Sequence, residues 1–99
     1  MRKILYSPDF GAGWYTWNPG EMGKYMLTHE ATIKAVESGK GLKEALEALT
    51  QECQQKFGDT PYLGGADSLE VMEVKGRVRI HEYDGSETVE EEGSFEGWI

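Results

Sequence analysis

The sequence of 99 residues contains one cysteine, Cys53, and three prolines. A single cysteine excludes an internal disulfide and any zinc site built from several thiolates, so we expect a reducing, cytoplasmic setting. The apolar run near the start, Ile4-Leu5-Tyr6, is too short for a secretory signal. No stretch approaches the roughly eighteen apolar residues that span a bilayer. We therefore expect a soluble protein without a cleaved leader or a membrane anchor.

Basic residues are missing from the last nineteen positions, 81–99, which carry seven carboxylates and no Lys or Arg. This segment accounts for −7 of the formal net charge of −8, and residues 1–80 are nearly balanced. A concentrated negative field attracts basic surfaces and repels nucleic acid and anionic lipid. The expected partner is therefore a basic protein, with no direct binding of nucleic acid or membrane.

The chain length fits a single domain over residues 1–99, and three Trp, five Tyr and three Phe argue against disorder of the whole chain. Residues 3–6 read as a strand. Asn18-Pro19-Gly20-Glu21 has the pattern of a helix start, and apolar residues at helical spacing extend that helix to about Gly39. A second helix is predicted from Gly41 to Gly58.

Two further turns organise the C-terminal part. Lys75-Gly76 lies between two β-type runs and predicts a hairpin, and Asp84-Gly85 predicts another turn before a short edge strand over 88–90. The predicted fold class is α+β, with a small antiparallel or mixed sheet of three to four strands and two helices packed on one face.

Between the first strand and the first helix, the loop of residues 6–17 combines five aromatic residues with two glycines. The following helix start would favour a phosphate or carboxylate, and the aromatic rings could stack a base. The dinucleotide-binding pattern fails because Thr16 stands where its third glycine should be. Alternatively, Phe10, Trp14 and Trp17 simply cap one end of the core. The residues of the predicted ligand or nucleotide pocket are Trp14, Tyr15, Trp17, Asn18, Gly64 and Gly65.

Three residue types invite a catalytic or metal-binding interpretation. His29 lies on the apolar face of the first helix, either as a core histidine or as an acid–base partner of a loop aspartate. Cys53 lies on the buried stripe of the second helix, where a thiol behaves as a small hydrophobe. The aspartates Asp9, Asp67 and Asp84 could converge on a cation, or they could be turn formers. We predict no enzyme activity, no metal and no cofactor.

The acidic end permits two interpretations, a solvating tail or an interaction surface that occupies a basic cleft. Phe95 and the closing Trp98-Ile99 favour a shaped surface, because aromatic residues are typical anchors at interfaces. The predicted partner-binding residues are Glu82, Tyr83, Asp84, Glu87, Glu90, Glu91, Glu92, Phe95, Glu96 and Trp98.

Three stretches resemble a group of small proteins encoded in bacteriophage and prophage genomes, generally without an assigned activity. These stretches are Ile4-Leu-Tyr-Ser-Pro-Asp-Phe-Gly-Ala-Gly-Trp14, Tyr62-Leu-Gly-Gly-Ala66 and Ile80-His-Glu-Tyr-Asp-Gly-Ser-Glu87. The resemblance covers most of the chain and brings no catalytic motif. It implies a phage-encoded anti-defence protein, such as an anti-CRISPR, that inhibits a host nuclease in the bacterial cytoplasm.

Overall fold

The computed structural model describes residues 2–91 and 98–99 and has an α+β architecture. The described residues form three α-helices, α1 Gly20–Leu27, α2 Glu30–Ser38 and α3 Leu42–Phe57. They also form four strands, β1 Arg2–Tyr6, β2 Glu70–Val74, β3 Val78–Tyr83 and β4 Ser86–Glu91. The predicted class is confirmed. In detail there are three helices where two were expected, and the strands form two separate antiparallel pairs where one sheet was expected.

The first predicted helix is divided in two at Thr28 and His29. His29 has an extended backbone, with φ −66° and ψ 110°, and serves as the N-cap of α2. Its ring Nδ1 lies 2.7 Å from the Thr32 hydroxyl, three residues into the helix, which fixes the new start. The predicted cap of α1 is also displaced by one residue, because Pro19 occupies that position and the Asn18 side chain bonds elsewhere.

Strand pairing differs from the predicted hairpin at Lys75-Gly76. β2 pairs with β1 across the fold, from Arg2 opposite Val74 to Tyr6 opposite Glu70. β3 pairs with β4, and the two-residue turn Asp84-Gly85 joins them. Both turn residues have positive φ, 51° and 85°, as a type I′ hairpin turn requires. The prediction at Lys75-Gly76 was wrong because β2 finds its partner in the first strand of the chain.

The β3–β4 hairpin is attached to the rest of the fold at both ends. At its turn end, the Gly11 N–H donates to the Asp84 carbonyl at 2.7 Å, and the loop backbone packs against Gly85. A Cβ at Gly85 would lie 2.7 Å from the Gly11 carbonyl carbon, so only glycine fits there. At the other end, Val78 and Ile99 exchange backbone hydrogen bonds of 2.6 and 2.8 Å. The turn is therefore held in a fixed position beside the loop of residues 7–17.

The core consists of two neighbouring clusters of buried side chains. The larger cluster joins the three helices to β1 and the segment before β2, and the smaller joins β1, β2 and β3. In the part of the chain that the structure describes, no helix is both long and apolar enough to cross a membrane. The larger cluster contains Leu5, Trp14, Met22, Met26, Ile33, Leu49, Cys53, Ala66 and Leu69. The smaller cluster contains Ile4, Leu27, Val74 and Val78.

Candidate functional site

Glu87 is fully buried and lies at the centre of the loop of residues 7–16. One carboxylate oxygen accepts a hydrogen bond from the Ser7 N–H at 2.9 Å. The other accepts from the Trp14 N–H at 2.9 Å and from the Thr16 N–H and hydroxyl at 2.8 and 2.6 Å. Glu87 therefore anchors the loop. The prediction that Glu87 contacts a partner was wrong, because its side chain is buried.

The Glu87 carboxylate is the anion that the glycine-containing loop binds in this structure. The sequence predicts an anion near the start of α1, and the structure fills the loop with a carboxylate of the same chain. Trp14 is fully buried, and its indole N–H donates to the Met26 carbonyl at 3.1 Å. The side-chain amide of Asn18 donates to the Trp14 carbonyl at 2.7 Å and accepts from the Tyr62 N–H at 2.8 Å. Trp14 and Asn18, both predicted to bind a ligand, therefore stabilise the fold through contacts within their own chain.

Three of the other predicted pocket residues contact their own chain. Gly65 is buried against the backbone of Gly13, Tyr15 packs on the smaller core cluster, and Gly64 lies under the Tyr62 ring. Trp17 remains accessible, with 39% of its surface exposed. Of the expected core cap, only Trp14 is buried, because Phe10 and Trp17 both face solvent.

The acidic end contains carboxylates that are exposed and yet hydrogen-bonded to their own chain. Glu82 accepts from the Gly85 N–H at 2.7 Å and from the Trp17 indole N–H at 3.3 Å. Glu90 lies 2.8 Å from the His81 ring, across the hairpin. Glu91 accepts from the Lys75 N–H at 3.3 Å. Their charges therefore have defined positions on the hairpin.

Trp98 docks on the domain itself. Only 7% of its surface is exposed, and the Arg79 guanidinium lies 4.6 Å from its ring centroid. The Trp98 ring is therefore too buried to contact a partner in this structure. The predicted partner residues Glu92, Phe95 and Glu96 lie outside the described residues.

Four aromatic side chains are exposed around the hairpin turn. Phe10 and Tyr83 are 72% and 75% exposed and meet edge to face, with ring centroids 6.4 Å apart. Trp17 and Tyr62 form a second pair, with centroids 5.4 Å apart. A carboxylate accompanies each pair, since Glu82 accepts from the Trp17 indole N–H and Asp84 directly follows Tyr83 in the turn. We call this surface the aromatic–acidic tip, and it comprises Phe10, Trp17, Tyr62, Glu82, Tyr83 and Asp84.

Sequence reasoning placed Tyr83, Glu82 and Asp84 in a partner surface but missed Phe10 and Tyr62. The available signal was the position of Phe10 in the turn-forming stretch from Pro8 to Gly11, where a core residue is unusual. Asp9 and Asp84 belong to loops that meet through the Gly11–Asp84 hydrogen bond. Asp67 instead lines a surface cleft beside α3. Within residues 2–91 and 98–99, no group of three metal-ligating side chains is present.

A second polar centre joins the three helices. Glu52 on α3 accepts hydrogen bonds from the Tyr25 hydroxyl on α1 and from the ring of His29, whose Nε2 lies 3.1 Å away. His29 is buried, as expected of a core histidine, and its carboxylate partner is this helical glutamate, whereas the alternative interpretation paired it with a loop aspartate. The Thr32 hydroxyl on the other ring nitrogen is fully buried, so it is not accessible as a nucleophile.

The electrostatics of this centre follow from its hydrogen bonds. The Tyr25 hydroxyl and the His29 ring both favour the ionised carboxylate and hold the pKa of Glu52 below its ordinary value. Donation to Glu52, with a smaller effect of burial, raises the pKa of Tyr25 to about 12. Burial raises the pKa of the Cys53 thiol, which leaves it unreactive. A surface cleft of about 510 Å³ lies beside the centre. The geometry ties three helices together, and the Thr32 hydroxyl and the Cys53 thiol beside it are both buried.

Tyr25 gives this centre a pH signature. In the folded state its pKa is raised from 10.0 to about 12, so the neutral phenol stabilises the fold below pH 10 and that stability is lost as the pH rises towards 12. We expect the urea midpoint of the wild type to fall more steeply over this range than that of Tyr25→Phe. Tyr62→Phe, at an exposed ring, is the control and should follow the wild type. Parallel curves for wild type and Tyr25→Phe would contradict the assignment.

Comparison of the chain with protein-family models, with curated proteins and with solved structures found no match in any of the three.

Proposed function

We propose that this chain is a non-enzymatic inhibitor that occupies a basic, nucleic-acid-binding surface of a bacterial defence protein. The observation that carries the proposal is the aromatic–acidic tip, where exposed ring pairs adjoin carboxylates in a protein of net charge −8. The resemblance to phage-encoded proteins supports the setting, the cytoplasm of a bacterial host. The expected partner is a defence nuclease, and no cofactor takes part.

The carboxylates support this function because their positions are fixed before binding. Glu82, Glu90 and Glu91 are exposed to solvent while each accepts a hydrogen bond from its own chain. Side chains that are already ordered lose less conformational entropy on association. Fixed negative charges also steer a basic partner and raise the association rate, with an effect that weakens as salt rises.

The aromatic rings supply the apolar contribution to the affinity for the partner. Interfaces concentrate their binding energy in a few large side chains near the centre of the contact, with Trp and Tyr prominent among them. Phe10 and Tyr83 present most of their surface to solvent. Exposed rings at the hairpin turn and fixed charges along the same hairpin together support a protein partner.

The proposal is tested by capture from a bacterial lysate at low and moderate salt. The immobilised wild type is compared with a triple charge reversal of the acidic end, Glu90→Lys, Glu91→Lys and Glu92→Lys. A matched triple reversal on the helices, Glu21→Lys, Glu44→Lys and Glu47→Lys, changes the net charge equally at exposed positions. We expect the wild type and the helix variant to retain a basic nucleic-acid-binding protein that the first variant loses. Equal retention by both variants, with both folded, would refute the proposal.

A further inference from the structure

We infer that the aromatic–acidic tip recognises arginine in preference to lysine on its partner. This inference rests on the proposed function, because it names the chemical group that the tip selects on a basic surface. Around the hairpin turn the tip offers two kinds of contact, namely exposed rings and carboxylates. A guanidinium group uses both, since its plane stacks on a ring while its N–H groups donate to a carboxylate.

The geometry of the ring pairs leaves room for stacking. Phe10 and Tyr83 are nearly perpendicular, with 79° between their planes, so the two rings do not cover each other's faces as stacked rings would. Both rings are more than two-thirds exposed. Aromatic faces carry partial negative charge and attract cations, and arginine is the more frequent partner in proteins.

The carboxylates are placed to complete such a site. Glu82 accepts from the indole N–H of Trp17, which packs on Tyr62, and Asp84 directly follows Tyr83 in the hairpin turn. The Gly85 N–H and the Trp17 indole N–H both contact one oxygen of Glu82, Oε2. A carboxylate anchored through one oxygen can present the other to an incoming N–H donor.

The same hairpin already contains a guanidinium stacked on an aromatic ring. The Arg79 guanidinium carbon lies 4.6 Å from the centroid of the Trp98 ring. Lysine makes a weaker contact of this kind, because its ammonium is compact, strongly hydrated and unable to lie flat on a ring. A surface that combined acidic groups with aliphatic side chains would bind both cations according to charge alone.

The test uses two synthetic peptides of equal length and charge, one alternating arginine with glycine and the other alternating lysine with glycine. At moderate salt we expect the wild type to bind the arginine peptide about five- to tenfold more tightly, the effect of two exposed cation–π contacts. Phe10→Leu with Tyr83→Leu keeps apolar side chains but removes the rings, so the ratio should fall to near one, with a larger loss of arginine-peptide than of lysine-peptide binding. Phe57→Leu, at an exposed ring on α3, should leave the ratio unchanged.

The possible results separate this inference from the function on which it rests. Equal, salt-sensitive binding of both peptides by the wild type would overturn the arginine preference and leave a basic partner supported. A preference that persists in the folded double-leucine variant would overturn the role of the two rings. If neither peptide binds at low salt, both the preference and the proposed attraction to basic surfaces are refuted.

Discussion

Replacing Glu87 by glutamine is expected to lower the free energy of unfolding by about 2–4 kcal/mol, although the side chains have nearly the same shape. The buried carboxylate accepts four hydrogen bonds, three from backbone N–H groups and one from the Thr16 hydroxyl. A neutral glutamine amide accepts these hydrogen bonds more weakly. Its NH₂ group would also replace one of the two oxygens and face at least one N–H donor of the loop. Urea denaturation followed by circular dichroism measures the loss.

Glu90→Gln is the matched control, because it makes the same chemical change on the same strand at an exposed position. We expect its unfolding free energy to stay within about 0.5 kcal/mol of the wild type, as for most surface substitutions. Similar losses for the two variants would show that the burial of Glu87 and its four donors contribute little. The Glu87 variant should also weaken partner binding, since the loop that it anchors carries Phe10 and Trp17.

Replacing both Phe10 and Tyr83 by alanine is expected to raise the dissociation constant for the partner roughly a thousandfold. Each ring is highly exposed in the free protein, and a central aromatic anchor contributes about 2 kcal/mol or more to an interface. Because both side chains face solvent, the urea midpoint should change little. Isothermal titration with the captured partner measures the effect.

Phe57→Ala provides the comparison for this double variant. Phe57 is also partly exposed, but it lies at the end of α3 and packs on Tyr25, away from the hairpin turn. Its removal should leave partner affinity within about threefold of the wild type. A loss as large as that of the tip variant would place the binding surface elsewhere on the protein.

The secondary structure was largely predictable from local patterns, and the errors have identifiable causes. Asp84-Gly85 supplies two residues that tolerate positive φ, and the hairpin forms there as expected. Lys75-Gly76 carries a similar signal, but β2 pairs with β1 because the chain returns across the fold, which a local pattern does not show. The helix break at His29 depends on contacts to Thr32 and to Glu52, 23 residues away.

The site was less predictable because its determinants are distant in the sequence. In an acidic run, Glu87 looks the same as Glu90, and only the loop that reaches it from 73 residues earlier distinguishes a buried anchor from a surface charge. The same loop determines the exposure of Phe10. The charge distribution alone predicts a basic partner, but it does not say which carboxylates remain available to meet one.

The most direct test of the proposed inhibitor function is a competition measurement on the captured partner. The partner is loaded with fluorescently labelled nucleic acid, and the release of that nucleic acid is followed by anisotropy as the chain is added. We predict full release by the wild type and almost none by Phe10→Ala with Tyr83→Ala. A stable complex that retains both the chain and the nucleic acid would contradict the account.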